Sequence, residues 1–347
     1  MGRSSTTYPR KWNSGKTTVI RVPEKIADAL LDVAHRLDAF GSFRVREEAE
    51  GLFLETSPPR RVHYDARKPV NVASVPQRSP FRYPGGKTWF VPYLRDWLLS
   101  KPELPDRFIE PFAGGGIMSL TVAFEKLAKD VIFSELDADI AAVWKVMLSE
   151  HAEWLAKEIL RFDLSMNNVR KILDSSSKAV QKRAFQTIIR NRVQRGGIMA
   201  PGAGLVKAGE NGRGLKSRWY PETLARRIRE IYHLRNRLTF IEGDAFDLLH
   251  RLKNDKNAVF FIDPPYTIAA KRLYTKWEID HRQLFEGLQK CKGDFLMTYD
   301  NTPEISALAA EFNFESRPVA MKSTHHAKMT ELLIGRDFQW LDNNGTI

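Results

Sequence analysis

The chain has 347 residues, 43% hydrophobic and 28% charged, a globular composition with material for one large domain or two ordinary ones. One cysteine, Cys291, excludes an intrachain disulfide or a CxxC motif, and the longest apolar runs, such as VFFI at 259–262, are far too short for a bilayer span, so a reducing, cytoplasmic setting without a membrane is expected. The net charge of +12 is unevenly placed: residues 161–240 carry 18 Lys+Arg against 5 Asp+Glu, while 81–160 and 241–347 are each net −3, and so concentrated an excess favours a polymeric anion.

Residues 1–16 are polar, without the apolar core of a secretory signal, and are expected to be disordered. A short β-like run at 17–22 precedes a helix opened by Pro23-Glu24, with Ile26, Leu30, Val33, Ala34 and Leu37 on one face and Gly41 at its end. A second helical stretch is expected at 44–54. This strand–helix–helix order resembles a ribbon-helix-helix DNA-binding module, although Ile20 and Val22 could equally begin an ordinary helical packing unit. Residues 56–80, with SPPRR and SVPQRSP, read as a Pro-rich linker. The stretch 1–78 is therefore taken as an N-terminal arm, module and linker, with a dimer through the module as one partner expectation. The next segment, FRYPGGKTWF, ends like a phosphate-binding loop. Phe81 stands where that loop needs glycine, and Pro84 removes a backbone donor, so a triphosphate site fails on geometry.

Beyond residue 80 strands alternate with helices. RFIEPF (107–112), KDVIFSE (129–135), LTFIEGD (238–244), AVFFIDPP (258–265), DFLMTYD (294–300) and TELLIGR (330–336) are continuous and aliphatic, the pattern of a mostly parallel sheet covered on both faces. Ligands of such sheets bind beyond the carboxyl ends of the strands. The first strand closes in Glu110-Pro111-Phe112-Ala113-Gly114-Gly115-Gly116, and a glycine turn there lets a ligand approach the backbone. Glu135 closes the second strand, where a carboxylate can accept from ribose hydroxyls. The two together favour an adenosine-containing cofactor. Asp244 closes the third strand, and Asp263-Pro264-Pro265-Tyr266 follows the fourth. Two prolines remove two donors and leave acceptor carbonyls, Asp263 adds more acceptors, and Tyr266 offers a flat face. The set suits a planar group bearing an exocyclic –NH2. The eight histidines form no HExxH, and no metal site is expected.

FRYPGGK, FIEPFAGGG, FSELD, IEGDAF and FIDPPY, in this order, resemble the Dam-like class of DNA adenine N6-methyltransferases from about Ser79 to Phe338. The resemblance implies a Rossmann-like α/β sheet with helices on both faces, S-adenosylmethionine as cofactor and double-stranded DNA as substrate. It further implies that Phe112, Gly114 and Gly116 border the cofactor's methionine part, Glu135 its ribose, and Asp244, Ala245 and Phe246 its adenine. Lys87, with Tyr83 and Gly86 beside it, would hold the cofactor's carboxylate. Asp263 and Pro264, with Pro265, would take the hydrogens of the target amine, and Tyr266 would stack on a base rotated out of the duplex.

On this reading 79–160 and 238–347 are the catalytic domain, and 161–237 is an inserted target-recognition region of helices and a glycine-rich hairpin or loop. Arg190, Asn191 and Arg192, together with Lys207, Arg213, Lys216 and Arg218, are the candidate DNA contacts. A companion restriction endonuclease is a further partner expectation. Cytosine N4 or RNA methylation, or a DNA-binding regulator with an inactive core, remain as alternatives. Asp rather than Ser or Asn before Pro-Pro leans toward adenine within the resembled class.

Overall fold

The computed structural model describes residues 66–342 apart from 84, 176, 201, 208, 210, 211, 267–277 and 323–327, together with residue 34 and the backbone of 43–48 and 51–56. The six aliphatic runs all become strands: β3 (Arg107–Glu110), β4 (Asp130–Glu135), β5 (Leu238–Glu242), β6 (Ala258–Ile262), β7 (Asp294–Asp300) and β9 (Lys328–Gly335). The sequence reading did not anticipate β8 (Glu315–Lys322), which carries Pro318. Its place at the edge of the sheet explains why the missing amide donor is tolerated.

The seven strands lie in the order β5-β4-β3-β6-β7-β9-β8. β3 to β7 are parallel, and β9 runs antiparallel to both β7 and β8. Successive side chains on a strand point to opposite faces. Phe108, Val259 and Phe261 accordingly join one apolar cluster, and Ile109, Phe260 and Ile262 join another on the far side. This is a Rossmann-like sheet with a core on each face. Cys291 lies buried in the second cluster, where burial pushes its thiol up to about 11.

β3 sits between β4 and β6, so strand order reverses at β3 and a crevice opens at the carboxyl edge. Because β9 runs backwards, its beginning rather than its end arrives at that edge, with Glu331 paired opposite Asp300.

Residues 161–237 hold three helices, Met166–Asp174, Val180–Val193 and Pro221–His233. Their Val169, Ile188, Leu224 and Ile228 belong to the same cluster as Phe108 and Phe133 of the sheet. This segment packs on the helices Ala138–Met147 and Ala152–Arg161 and joins the sheet's apolar cluster through them, rather than being built around a core of its own.

The expected helix at 44–54 is replaced by an antiparallel pair, β1 (Phe43–Glu48) and β2 (Gly51–Thr56). The alternation Phe43-Arg44-Val45-Arg46 has a period of two, which suits a strand and defeats an amphipathic helix. The strand and first helix expected at 17–41 lie outside the described residues except for Ala34, which is helical. Among the described residues no helix is long and apolar enough to cross a membrane.

Candidate active site

The turn after β3 is closed by packing. Gly114 and Gly116 adopt φ of +48° and +62°, in the left-handed region that favours glycine. A Cβ on Gly114 would lie 2.6 Å from the Tyr83 ring, and one on Gly116 2.6 Å from the Trp144 ring. Trp144 Nε1 donates to the Gly114 carbonyl at 3.0 Å. Beneath the turn, buried Glu110 accepts from the Ser119 amide at 2.8 Å. Burial, and secondarily the charge of Asp263, push this carboxyl up to about 8.

Glu135 closes β4 and accepts from the Asp137 amide at 2.8 Å. It is half-buried, and desolvation raises its carboxyl to about 7. Asp244 caps the helix Ala245–Leu252 by accepting from the Phe246 amide at 2.7 Å, which fixes the side chain at the rim. Phe112 and Phe246 meet edge to face, with centroids 6.3 Å apart at 87°.

Glu110, Phe112, Gly114, Gly116, Glu135, Asp244, Ala245 and Phe246 line one cleft of about 1750 Å³, which also takes in Tyr83, Gly86, Lys87, Asp263, Pro264, Pro265 and Tyr266. The expected cofactor and amine residues are thus brought together. Fixed acceptors beside an aromatic slot fit an adenosine-bearing ligand, since the carboxylates match its hydroxyl and amino donors and the rings match its base.

Lys87 stands beside Tyr83 and Gly86 in the cleft and also among the amine residues: its buried ammonium lies 3.0 Å from Asp263 Oδ1 and 3.4 Å from Glu331 Oε2, and 4.6 Å from the centre of the Tyr266 ring. Thr298 Oγ1 donates to the same Asp263 Oδ1 at 2.8 Å. Tyr266 donates its hydroxyl to Glu331 at 2.9 Å and stacks on Tyr299 at 5.8 Å and 20°. Burial, then the charges of Asp263 and Glu331, hold the Tyr266 phenol well above its ordinary range. The sequence reading missed Glu331 and Thr298. Thr298 carries no signal in the strand pattern, and Glu331 stands near the start of its strand, whereas the sites legible in a parallel sheet lie at strand carboxyl ends.

The Arg190–Arg192 set is corrected in part. Asn191 is fully buried: its Oδ1 accepts from the Arg82 amide at 2.9 Å, and its Nδ2 donates to the carbonyls of Arg82 at 2.9 Å and Gly197 at 3.1 Å. With both ends of the amide occupied inside the protein, it is not a DNA contact in this structure. It ties the segment before Tyr83 to the insert. Arg190 is ion-paired with Asp139 at 2.8 Å. Arg192 is buried and donates to the Pro80 carbonyl, but it also lines the cleft, as do Arg82, Arg218 and Arg227. Desolvation, then the repulsion of Arg227, Arg82 and Arg218, pull the Arg192 guanidinium down to about 9. Lys207, Arg213 and Lys216 are exposed on the glycine-rich stretch, which forms a bridge between Gln194 and Leu205 and a 3-10 turn at Gly214–Arg218.

No curated protein matches the chain. Solved structures share a likeness at low identity. A putative RNA methyltransferase from Pyrococcus horikoshii is 11% identical over 74% of this chain and 84% of that one, with a TM-score of 0.34. An S-adenosylmethionine-dependent methyltransferase from Agrobacterium tumefaciens is 11% identical over 85% and 70%, also at 0.34. A methyltransferase from Geobacter sulfurreducens is 12% identical over 74% and 80%, at 0.33. The family assignment does not rest on these scores. It rests on the family model of the D12 class N6 adenine-specific DNA methyltransferases, which matches residues 83–322 and so takes in the glycine turn, Glu135, Asp244 and Asp263–Tyr266. The chain belongs to this class of S-adenosylmethionine-dependent enzymes.

Proposed function

We propose that this chain methylates N6 of an adenine within a short sequence of duplex DNA. One observation carries the reading: a single cleft joins the glycine turn, Glu135 and Asp244 to Asp263-Pro264-Pro265-Tyr266. When bound there, S-adenosylmethionine supplies a sulfonium methyl that an amine can take in line.

The adenine N6 lone pair is delocalised into the ring and attacks poorly. Asp263 accepts one N6 hydrogen and the Pro264 carbonyl the other, which localises density on nitrogen. The bonds from Lys87 and Thr298 both fall on Asp263 Oδ1, leaving Oδ2 to meet the amine. The methyl group would pass to N6 with the carbon–sulfur electron pair left on sulfur, and Asp263 receives the proton that N6 sheds. Alignment supplies much of the acceleration. N6 is out of reach inside the helix, so the base is rotated out toward the ring of Tyr266, which Tyr299 and Glu331 hold in place.

Residues 161–237 serve as the target-recognition region. Lys207, Arg213 and Lys216 face the DNA backbone, and Arg192 and Arg218 meet phosphates nearer the cleft.

The test is transfer of a labelled methyl group to mixed-sequence duplex DNA, followed by digestion to nucleosides. Label is expected in N6-methyladenine; label only in N4-methylcytosine or only in RNA overturns the reading. Asp263→Ala should lower the rate by about 10³-fold or more while DNA affinity stays near wild type.

A further inference from the structure

Glu331 reaches the cleft from a direction that the carboxyl ends of the strands do not use. It lies on β9, opposite Asp300 of β7, and the following Leu332, Leu333 and Ile334 are buried in the sheet. Its carboxylate is therefore carried by a rigid strand rather than a loop. It is 8% exposed, and a buried carboxylate is costly unless donors satisfy it. Among the described residues its donors are the Tyr266 hydroxyl at 2.9 Å and the Lys87 ammonium at 3.4 Å, and Lys87 in turn lies 3.0 Å from Asp263. Both partners of this carboxylate belong to the machinery assigned to the amine.

We infer that Glu331 is a positioning residue for methyl transfer, which fixes the Tyr266 ring through its hydroxyl and shares Lys87 with Asp263. The inference rests on the adenine methyltransferase reading. With Glu331 in place the ammonium is divided between two carboxylates, so Asp263 is anchored without being fully neutralised. With Glu331 removed, Lys87 either pairs with Asp263 alone, weakening it as an acceptor, or leaves it unanchored. Either change loosens the seat of the base and amine. Neither reaches Glu135, Asp244, Phe112 or Phe246, which lie on and after other strands. The effect therefore falls on turnover rather than on cofactor affinity. Burial, opposed by Lys87 and reinforced by Asp263, also raises the Glu331 carboxyl above its ordinary range. Among the described residues the charged and titratable groups about it are Lys87, Asp263 and Tyr266, with Asp300 opposite it on β7, so its ionisation is coupled to the same cluster.

The experiment compares the single-turnover rate of methyl transfer to duplex DNA in wild type, Glu331→Gln and Glu331→Ala, alongside thermal melting and S-adenosylmethionine binding. Glutamine keeps an acceptor for the Tyr266 hydroxyl but not the charge. The expected rates fall by about 10-fold for glutamine and about 100-fold for alanine, the scale of a small misplacement at the reacting atoms. Cofactor affinity and melting in the glutamine variant should stay near wild type. Wild-type rates in both variants, or slower rates that merely track impaired folding or impaired cofactor binding in the glutamine variant, would overturn the inference alone. A wild-type chain that transfers no methyl group to DNA would overturn the function and the inference together.

Discussion

A carboxylate accepts hydrogen bonds from a ribose better than the neutral acid does, and burial raises the Glu135 carboxyl to about 7. The sign follows directly: the carboxylate predominates above that value, and the neutral acid, a poorer acceptor, predominates below it. If Glu135 holds the ribose, affinity for S-adenosylmethionine should fall by about 10-fold between pH 8 and pH 6, as the ionised fraction drops across a pKa near 7. Calorimetric titration at several pH values checks this. Glu135→Gln should bind more weakly at pH 8 and lose that dependence. An unchanged slope in the variant would assign the titration to another group. Glu135 was legible in the sequence because a carboxylate closing the second strand of a parallel sheet has a standard position. Its raised pKa was not, because desolvation is set by the side chains that fold around it.

At the scale of elements, the glycine turn is held on both sides by aromatic rings. Gly116→Ala combines a left-handed φ of +62° with a Cβ 2.6 Å from the Trp144 ring, and the ring is itself buried. The expected loss is about 2–4 kcal/mol, from backbone strain plus overpacking, seen as a lower melting temperature. Gly202→Ala is the control: it has a φ of +84° but nothing within 4 Å of the added carbon, so only the backbone contribution of about 1–2 kcal/mol remains. Equal losses at both sites would show that the Trp144 ring is irrelevant. The parallel strands were readable because strands buried on both faces are continuous apolar runs. The strand pair at 43–56 differs from the expected helix because so short a window carries few apolar positions, and their alternation has the period of a strand. Glu331 escaped for a topological reason, since a reversed strand presents its first residues at the edge where the others present their last.

At the scale of the whole molecule, charge is segregated. Residues 161–240 hold a net +13, while the stretches on either side are each net −3. Lys207, Arg213 and Lys216 stand exposed on that segment. If they meet phosphates, replacing all three by alanine should reduce the slope of log affinity for DNA against log salt by about 3, roughly one for each phosphate no longer neutralised. Fluorescence anisotropy across a salt series checks it, and an unchanged slope would place the phosphate-binding side chains elsewhere. The basic character of this region was plain in the sequence. Which of its residues face outward was not, because Asn191 and its neighbours carry no periodic mark separating a buried clasp from a surface residue. That clasp has a practical consequence. The helices of 161–237 pack on Ala138–Met147 and Ala152–Arg161 within the cluster that reaches the sheet, and Asn191 fastens them to the residues ahead of Tyr83. They therefore cannot be treated as a detachable cassette. If this region reads the target, as proposed, transplanting sequence preference between relatives of this class would require moving the whole helical layer with the residues it clamps, whereas grafting the glycine-rich tip alone leaves that joint undisturbed.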